Sequence, residues 1–289
     1  MASIVNESPA LFGPDANLIG ILTPPTDGKA EPVALLLFNA GVIHRVGPHR
    51  LNVKLAAHLA ERGFTTFRFD LAGQGDSRAA ATRLSFSEQA VRDLKAAMDH
   101  VERTTGIGRF AIFGICSGAV NAFHAALADE RVVGIAMFDG FWYTSRWTKA
   151  MRRWKRFLAM PWSHVFGRLL GLAGYFSRPA KRAEDVGVFS DEGMGNPPRD
   201  VFARQVTQLV DRGVVVYFMY GGSIIEQVSY ENQLRHAFSG ERFVNEVEIR
   251  MFPKLDHTVV SIDVQDKMHA IIAGWLQRVA ARKATGARV

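Results

Sequence analysis

One segment of this 289-residue chain has the residue types and spacing of covalent catalysis: Phe110-Ala-Ile-Phe-Gly114-Ile-Cys116-Ser117-Gly118-Ala-Val-Asn. An apolar run enters a helix-forming stretch through a small-x-nucleophile-x-small turn with cysteine at its centre, the spacing of a nucleophile elbow. The glycines have a steric reason, because side chains two residues either side of a nucleophile on so tight a turn would clash with strand or helix. The turn also sets its central residue at a helix N-terminus, where backbone N–H groups and the helix dipole stabilise a thiolate. Ser117 is the rival nucleophile, but the frame Ile115-Cys116-Ser117-Gly118-Ala119 lacks a small residue two positions before it. The bland alternative makes Cys116 a small buried filler. Cys116 is the single cysteine, which excludes an intramolecular disulfide and any multi-cysteine zinc or iron-sulfur site. No metal or cofactor is called for.

The elements that must position such a turn are legible on both sides of it. Apolar runs rich in β-branched and aromatic residues recur at Val33 to Phe38, Phe64 to Phe69, Phe110 to Phe113, Val132 to Phe138, Val214 to Met219 and Val247 to Met251. Amphipathic helical stretches alternate with them: His49 to Arg62, Ser87 to Arg103, Ser117 to Ala128, Arg199 to Asp211 and Val259 to Arg282. This alternation predicts an α/β fold with a mostly parallel central sheet flanked by helices on both faces. Gly63 and Gly213 sit where C-cap glycines are expected. Residues up to about Leu22 supply one or two antiparallel edge strands. The alternation breaks from Phe141 to about Pro198, too long a stretch for a structureless loop inside a domain. It predicts an α/β core over 1–140 and 199–289 with a helical cap or lid inserted at 141–198.

Three motifs in chain order resemble the α/β-hydrolase superfamily: Asn39-Ala40-Gly41 after the first parallel strand, Asp70-Leu-Ala-Gly73-Gln-Gly75-Asp76-Ser77 after the second, and the elbow. A closer similarity takes in Ala10-Leu-Phe-Gly13, Leu18 to Pro24 and Gly47-Pro-His49-Arg50, and resembles the hydrolases that accompany the exosortase A system of bacterial exopolysaccharide clusters. The superfamily resemblance implies the order nucleophile, acid, histidine. It places the histidine at His257, in Leu255-Asp256-His257-Thr258 just before the final helix, as the base that accepts the Cys116 proton. The acid departs from the family pattern. Superfamily members usually show Asp where this chain has Ile224 or Ile225, so Glu226 and Asp139 are the candidates, while Asp256 reads as a local turn residue. A cysteine depends less on an orienting acid than serine does, so a Cys-His dyad is a further alternative. The resemblance implies oxyanion donors at the Ser117 N–H and at Gly41 or Val42. His44 and Arg45, in the same loop, are candidates for touching substrate, with solvated loop charge as the plainer reading.

The formal charge of +7 is local. Residues 146–182 hold seven Arg, three Lys and no Asp or Glu, and the other 252 residues sum to −3. Trp142, Trp147, Trp154 and Trp162 lie in or beside that stretch. A solvated helix face is the plain reading. The functional ones are attraction of an acidic acyl carrier protein or coenzyme A donor, and peripheral contact with an anionic membrane. Nucleic acid is disfavoured, because the patch is greasy and the rest of the chain is acidic. The N-terminus shows no basic n-region followed by an apolar stretch, which makes the cytoplasm the expected location. Together these features predict an acyl hydrolase or thioesterase acting through a Cys116 acyl-enzyme. The alternatives are an acyltransferase or condensing enzyme fed by a carrier protein or coenzyme A, and a hydrolase-fold binding protein without catalysis.

Overall fold

A computed structural model of the chain describes residues 6–158 and 196–282. Strands β1 (Ser8–Phe12), β2 (Leu18–Thr23), β3 (Ala34–Leu37), β4 (Thr66–Phe69), β5 (Phe110–Ile115), β6 (Val132–Phe138), β7 (Val215–Gly221) and β8 (Glu248–Phe252) form one sheet in the order β1-β2-β4-β3-β5-β6-β7-β8. β2 runs antiparallel to both its neighbours, and every other pair is parallel. The helices are α1 (Leu51–Ala60), α2 (Phe86–Thr105), α3 (Ser117–Ala128), α4 (Arg146–Leu158), α5 (Arg199–Asp211), α6 (Gln233–Ala237) and α7 (Ile262–Ala281).

The strands read as unbroken apolar runs because both sheet faces are covered. Along β3, Ala34 and Leu36 join the core under α2, α3 and α5, while Leu35 and Leu37 join the core under α1 and α7. The two N-terminal strands take the antiparallel edge positions expected of them, and Gly63 and Gly213 adopt positive φ of 83° and 80° behind α1 and α5. Boundaries moved for local reasons. The Ser85 hydroxyl and the Glu88 carboxylate form a reciprocal capping box, which starts α2 at Phe86. α1 is shorter than the stretch from His49 to Arg62, because His49 and Arg50 have positive φ of 47° and 64° and open it through a 3-10 turn. The five-residue α6 is too short to show a period in sequence. Ala10–Gly13 ends an edge strand, and Gly47, where a Cβ would meet Asn52 Cγ at 2.7 Å, turns the chain into α1. These segments therefore serve the fold.

Of the stretch predicted as a cap, residues 159–195, with Trp162, lie outside the described residues. Its described part is a buried irregular segment from Phe141 to Ser145, followed by α4, and then residues 196–198 leading into α5.

Candidate active site

Cys116 stands between β5 and α3 with φ 57° and ψ −121°, a conformation costly for any side-chain-bearing residue. Its neighbours make the strain unavoidable. A Cβ on Gly114 would sit 2.3 Å from the Gly118 carbonyl oxygen, and one on Gly118 would sit 2.8 Å from the Asn39 carbonyl oxygen. Both glycines are therefore required by packing that no other residue would permit. Cys116 is half-buried, and its N–H is bonded to the Phe138 carbonyl oxygen at 2.9 Å. Ser117 is the first residue of α3, where its own N–H has no intrahelical acceptor.

Asp139 follows β6 with φ 53° and a fully buried side chain. Its N–H donates to the Met219 carbonyl oxygen at 2.9 Å, its Oδ1 accepts from the Gly221 N–H at 2.7 Å, and its Oδ2 lies 2.8 Å from His257 Nδ1. The buried carboxylate is thus satisfied on both oxygens. His257 is held from three sides. Its backbone N–H donates to Ser223 Oγ at 2.9 Å, the Phe138 ring stacks on the imidazole, and Asp256 ties the loop by accepting from the Thr258 N–H and hydroxyl at 3.0 and 2.9 Å. Hydrogen bonding to Asp139, then to the Cys116 side chain, pushes His257 up to about 10 against the opposing effect of burial. The imidazolium is therefore the favoured form between these two partners.

Of the two carboxylates that the sequence leaves open as the acid, one stands against His257. Glu226 is exposed beyond the 3-10 turn Gly222–Ile224, and the carboxylate set against His257 is that of Asp139. The reason is space. A Cβ on Gly221 would lie 2.8 Å from the Leu255 carbonyl oxygen, and one on Gly222 would lie 2.2 Å from that of Pro253. The end of β7 is pressed against the histidine loop with no room for a side chain, and the neighbouring strand β6 supplies the carboxylate across the gap. The Gly221-Gly222 pair after an apolar run was the signal for this arrangement.

The loop after β3 is braced from below. Asp70, fully buried, accepts from Asn39 Nδ2 at 3.3 Å, the Arg45 N–H at 2.6 Å and the Asp76 N–H at 3.1 Å, and pairs with the Arg45 guanidinium. A Cβ on Gly75 would fall 2.3 Å from Asp70 Oδ2, which accounts for a glycine of the motif. Ser77 Oγ donates to the Asp70 carbonyl oxygen and accepts from the Ile19 N–H, stitching the turn to β2. Arg45 is thus bound to Asp70 and Asp76, which gives its charge a structural role in the loop. His44 is exposed, and Val42, at 92% exposure, stands at the tip of the loop. The Gly41 N–H, expected to face an oxyanion, instead donates to Ser117 Oγ at 3.1 Å. That bond ties the loop to the start of α3. The contribution of Ser117's hydroxyl was invisible in sequence, because Gly41 lies 76 residues away from it.

Among the described residues no group of three or more His, Cys, Asp or Glu is arranged to hold a metal ion, and no helix is long and apolar enough to cross a membrane.

Comparison with known proteins agrees with this architecture. The chain is similar in structure to an α/β serine hydrolase without a lid from Xanthomonas campestris (TM-score 0.56, 13% identity, covering 98% of each chain). It is also similar to an esterase of Pyrococcus furiosus (TM-score 0.59, 13% identity, 96% of this chain and 92% of that one). A putative dienelactone hydrolase from Klebsiella pneumoniae is similar too (TM-score 0.58, 14% identity, 95% and 99%). In sequence, 82 residues are 32% identical to the uncharacterized protein YcjY of Escherichia coli, a match spanning 28% of this chain and 27% of that protein. Residues 31–217 match the family model described as serine aminopeptidase, S33, and the chain belongs to that α/β-hydrolase family.

Proposed function

We propose that this member of the family is an acyl hydrolase, acting on an ester or thioester through a covalent intermediate on Cys116. The observation that carries the reading is the line Asp139, His257, Cys116, with the imidazole between a buried carboxylate and the strained residue of the elbow. Two of the similar structures are named as an esterase and a putative dienelactone hydrolase, which supports an ester-type donor.

In the first half of the reaction the Cys116 sulfur forms a bond to the acyl carbon, and the carbonyl electron pair moves to oxygen. The Ser117 N–H and a loop amide, that of Gly41 released from Ser117 Oγ or that of Val42, receive this oxyanion. The electron pair returns, the bond to the leaving group breaks, and the His257 imidazolium gives its proton to the departing atom. The resulting thioester sulfur carries no charge. Cys116 then no longer holds His257 up, and the imidazole is freed to act as a base in the second half. It takes a proton from water as the water oxygen bonds to the acyl carbon, the carbon–sulfur bond breaks, and acid and thiolate are released. Asp139 keeps the ring oriented through Nδ1 in both halves.

The test is intact-protein mass spectrometry after incubation with a panel of acyl esters and thioesters. Acylation of wild type, absent in Cys116→Ala and decaying in buffer with release of free acid, is the expected result. No adduct and no hydrolysis across the panel would sink the reading, and an adduct that persists until an acceptor other than water is added would replace hydrolysis by transfer.

A further inference from the structure

The site leaves α4 unexplained. The chain departs from the C-terminal end of β6 at Asp139 and begins α4 seven residues later, so this helix starts close in sequence to the site. Its inward side is anchored. Ser145 Oγ accepts from the Thr148 N–H at 3.0 Å and meets Tyr230 OH at 2.7 Å, and Thr148 is fully buried. Anchoring at Thr148 fixes which side looks outward.

Two rows run along that side. Trp147 and Trp154 are seven residues apart, hence on one face, and are 61% and 62% exposed. Arg146 and Arg153, one residue before each, form the adjoining exposed row. The helix sequence RWTKAMRRWKRFL has six basic residues and no acidic one. Exposed tryptophans at such a spacing are unusual on a surface that meets only water, since each leaves a large apolar area hydrated. Beside guanidinium groups they match one environment closely: the interface of an anionic bilayer, where indoles settle at headgroup depth and arginines reach the phosphates. An acidic protein would satisfy the charges, but it gives no comparable reason for paired indoles along a single line.

We infer that the Trp147/Trp154 and Arg146/Arg153 rows of α4 form a peripheral docking surface for an anionic lipid bilayer. This goes beyond the catalytic reading and does not depend on it, because lipid binding is measured without turnover.

The experiment is co-sedimentation of the full-length protein with large unilamellar vesicles of phosphatidylcholine alone and of phosphatidylcholine with 30% phosphatidylglycerol (about that fraction suffices for a strongly negative surface). Wild type and Cys116→Ala should both bind the anionic vesicles, bind neutral ones weakly, and lose binding as salt rises. Trp147→Ser/Trp154→Ser and, separately, Arg146→Glu/Arg153→Glu should each lower partitioning by about tenfold or more. These four side chains are exposed, so thermal unfolding should be unchanged. A soluble poly-glutamate chain serves as the competing partner class. No binding to anionic vesicles overturns the inference, as does binding that both double variants retain. Binding to poly-glutamate that survives Trp147→Ser/Trp154→Ser, without matching vesicle binding, overturns it in favour of an acidic protein partner.

Discussion

Each side chain of the site has a role that substitution can separate. Cys116→Ala should abolish turnover, a loss of about 10⁴-fold or more, whereas Ser117→Ala should keep activity within about tenfold because the backbone N–H is retained. Asp139→Asn should lower kcat by about 10²-fold, while Glu226→Gln stays near wild type. A reversed order for those two carboxylates, measured by steady-state kinetics, would reassign the acid. Asp139 is the leading cause of the raised His257 pKa, so the same Asp139→Asn variant should also bring the alkaline limb of the pH–rate profile down. Stability has a definite sign here. His257 is pushed up to about 10 in the folded chain, above its usual value of about 6.5. Its partnership therefore stabilises fully below about pH 6.5 and is lost as pH rises towards about 10. Urea denaturation of wild type and His257→Gln across that range should show a gap that narrows with rising pH, and a gap that widens would contradict the pairing.

At the scale of elements, the elbow is a junction whose glycines are set by the start of α3 against Gly114 and by the end of β3 and its loop against Gly118. Gly118 lies inside α3, where alanine would ordinarily be favoured by roughly 1 kcal/mol. Its Cβ would sit 2.8 Å from the Asn39 carbonyl oxygen, so Gly118→Ala should instead destabilise by about 1–3 kcal/mol. A rise in the urea midpoint would show that the loop after β3 yields easily. The elbow was legible because its signal is local: an apolar run, two small residues and a helix-forming stretch within a dozen positions. The capping box of α2 is equally local, and the helix runs over Phe86–Thr105, one residue earlier and two later than the amphipathic stretch Ser87 to Arg103. The entry to α1 was not legible, because positive φ at His49 and Arg50 has no signature in residue type.

Across the whole molecule, Asp70 joins the loop after β3, the turn after β4 and, through Ser77, strand β2. Asp70→Asn leaves the Arg45 guanidinium without its fully buried partner and should cost about 3–5 kcal/mol. Arg204→Ala removes an exposed pair with Asp200 and should cost less than about 1 kcal/mol. Equal losses in chemical denaturation would mean that the Asp70 brace is no more than a surface pair. Legible in the residues alone were the doubly covered parallel sheet, its antiparallel edge and the elbow at Cys116, while the superfamily resemblance supplied His257 before the last helix. Periodicity and turn sterics are properties of neighbouring residues, and they survive being read one residue at a time. Only the tertiary structure decided which carboxylate meets His257, where the Gly41 amide points and what Arg45 holds. The pairing of Asp139 with His257 spans 118 positions, and it exists because β6 and β7 are adjacent and the end of β7 has no space for a side chain.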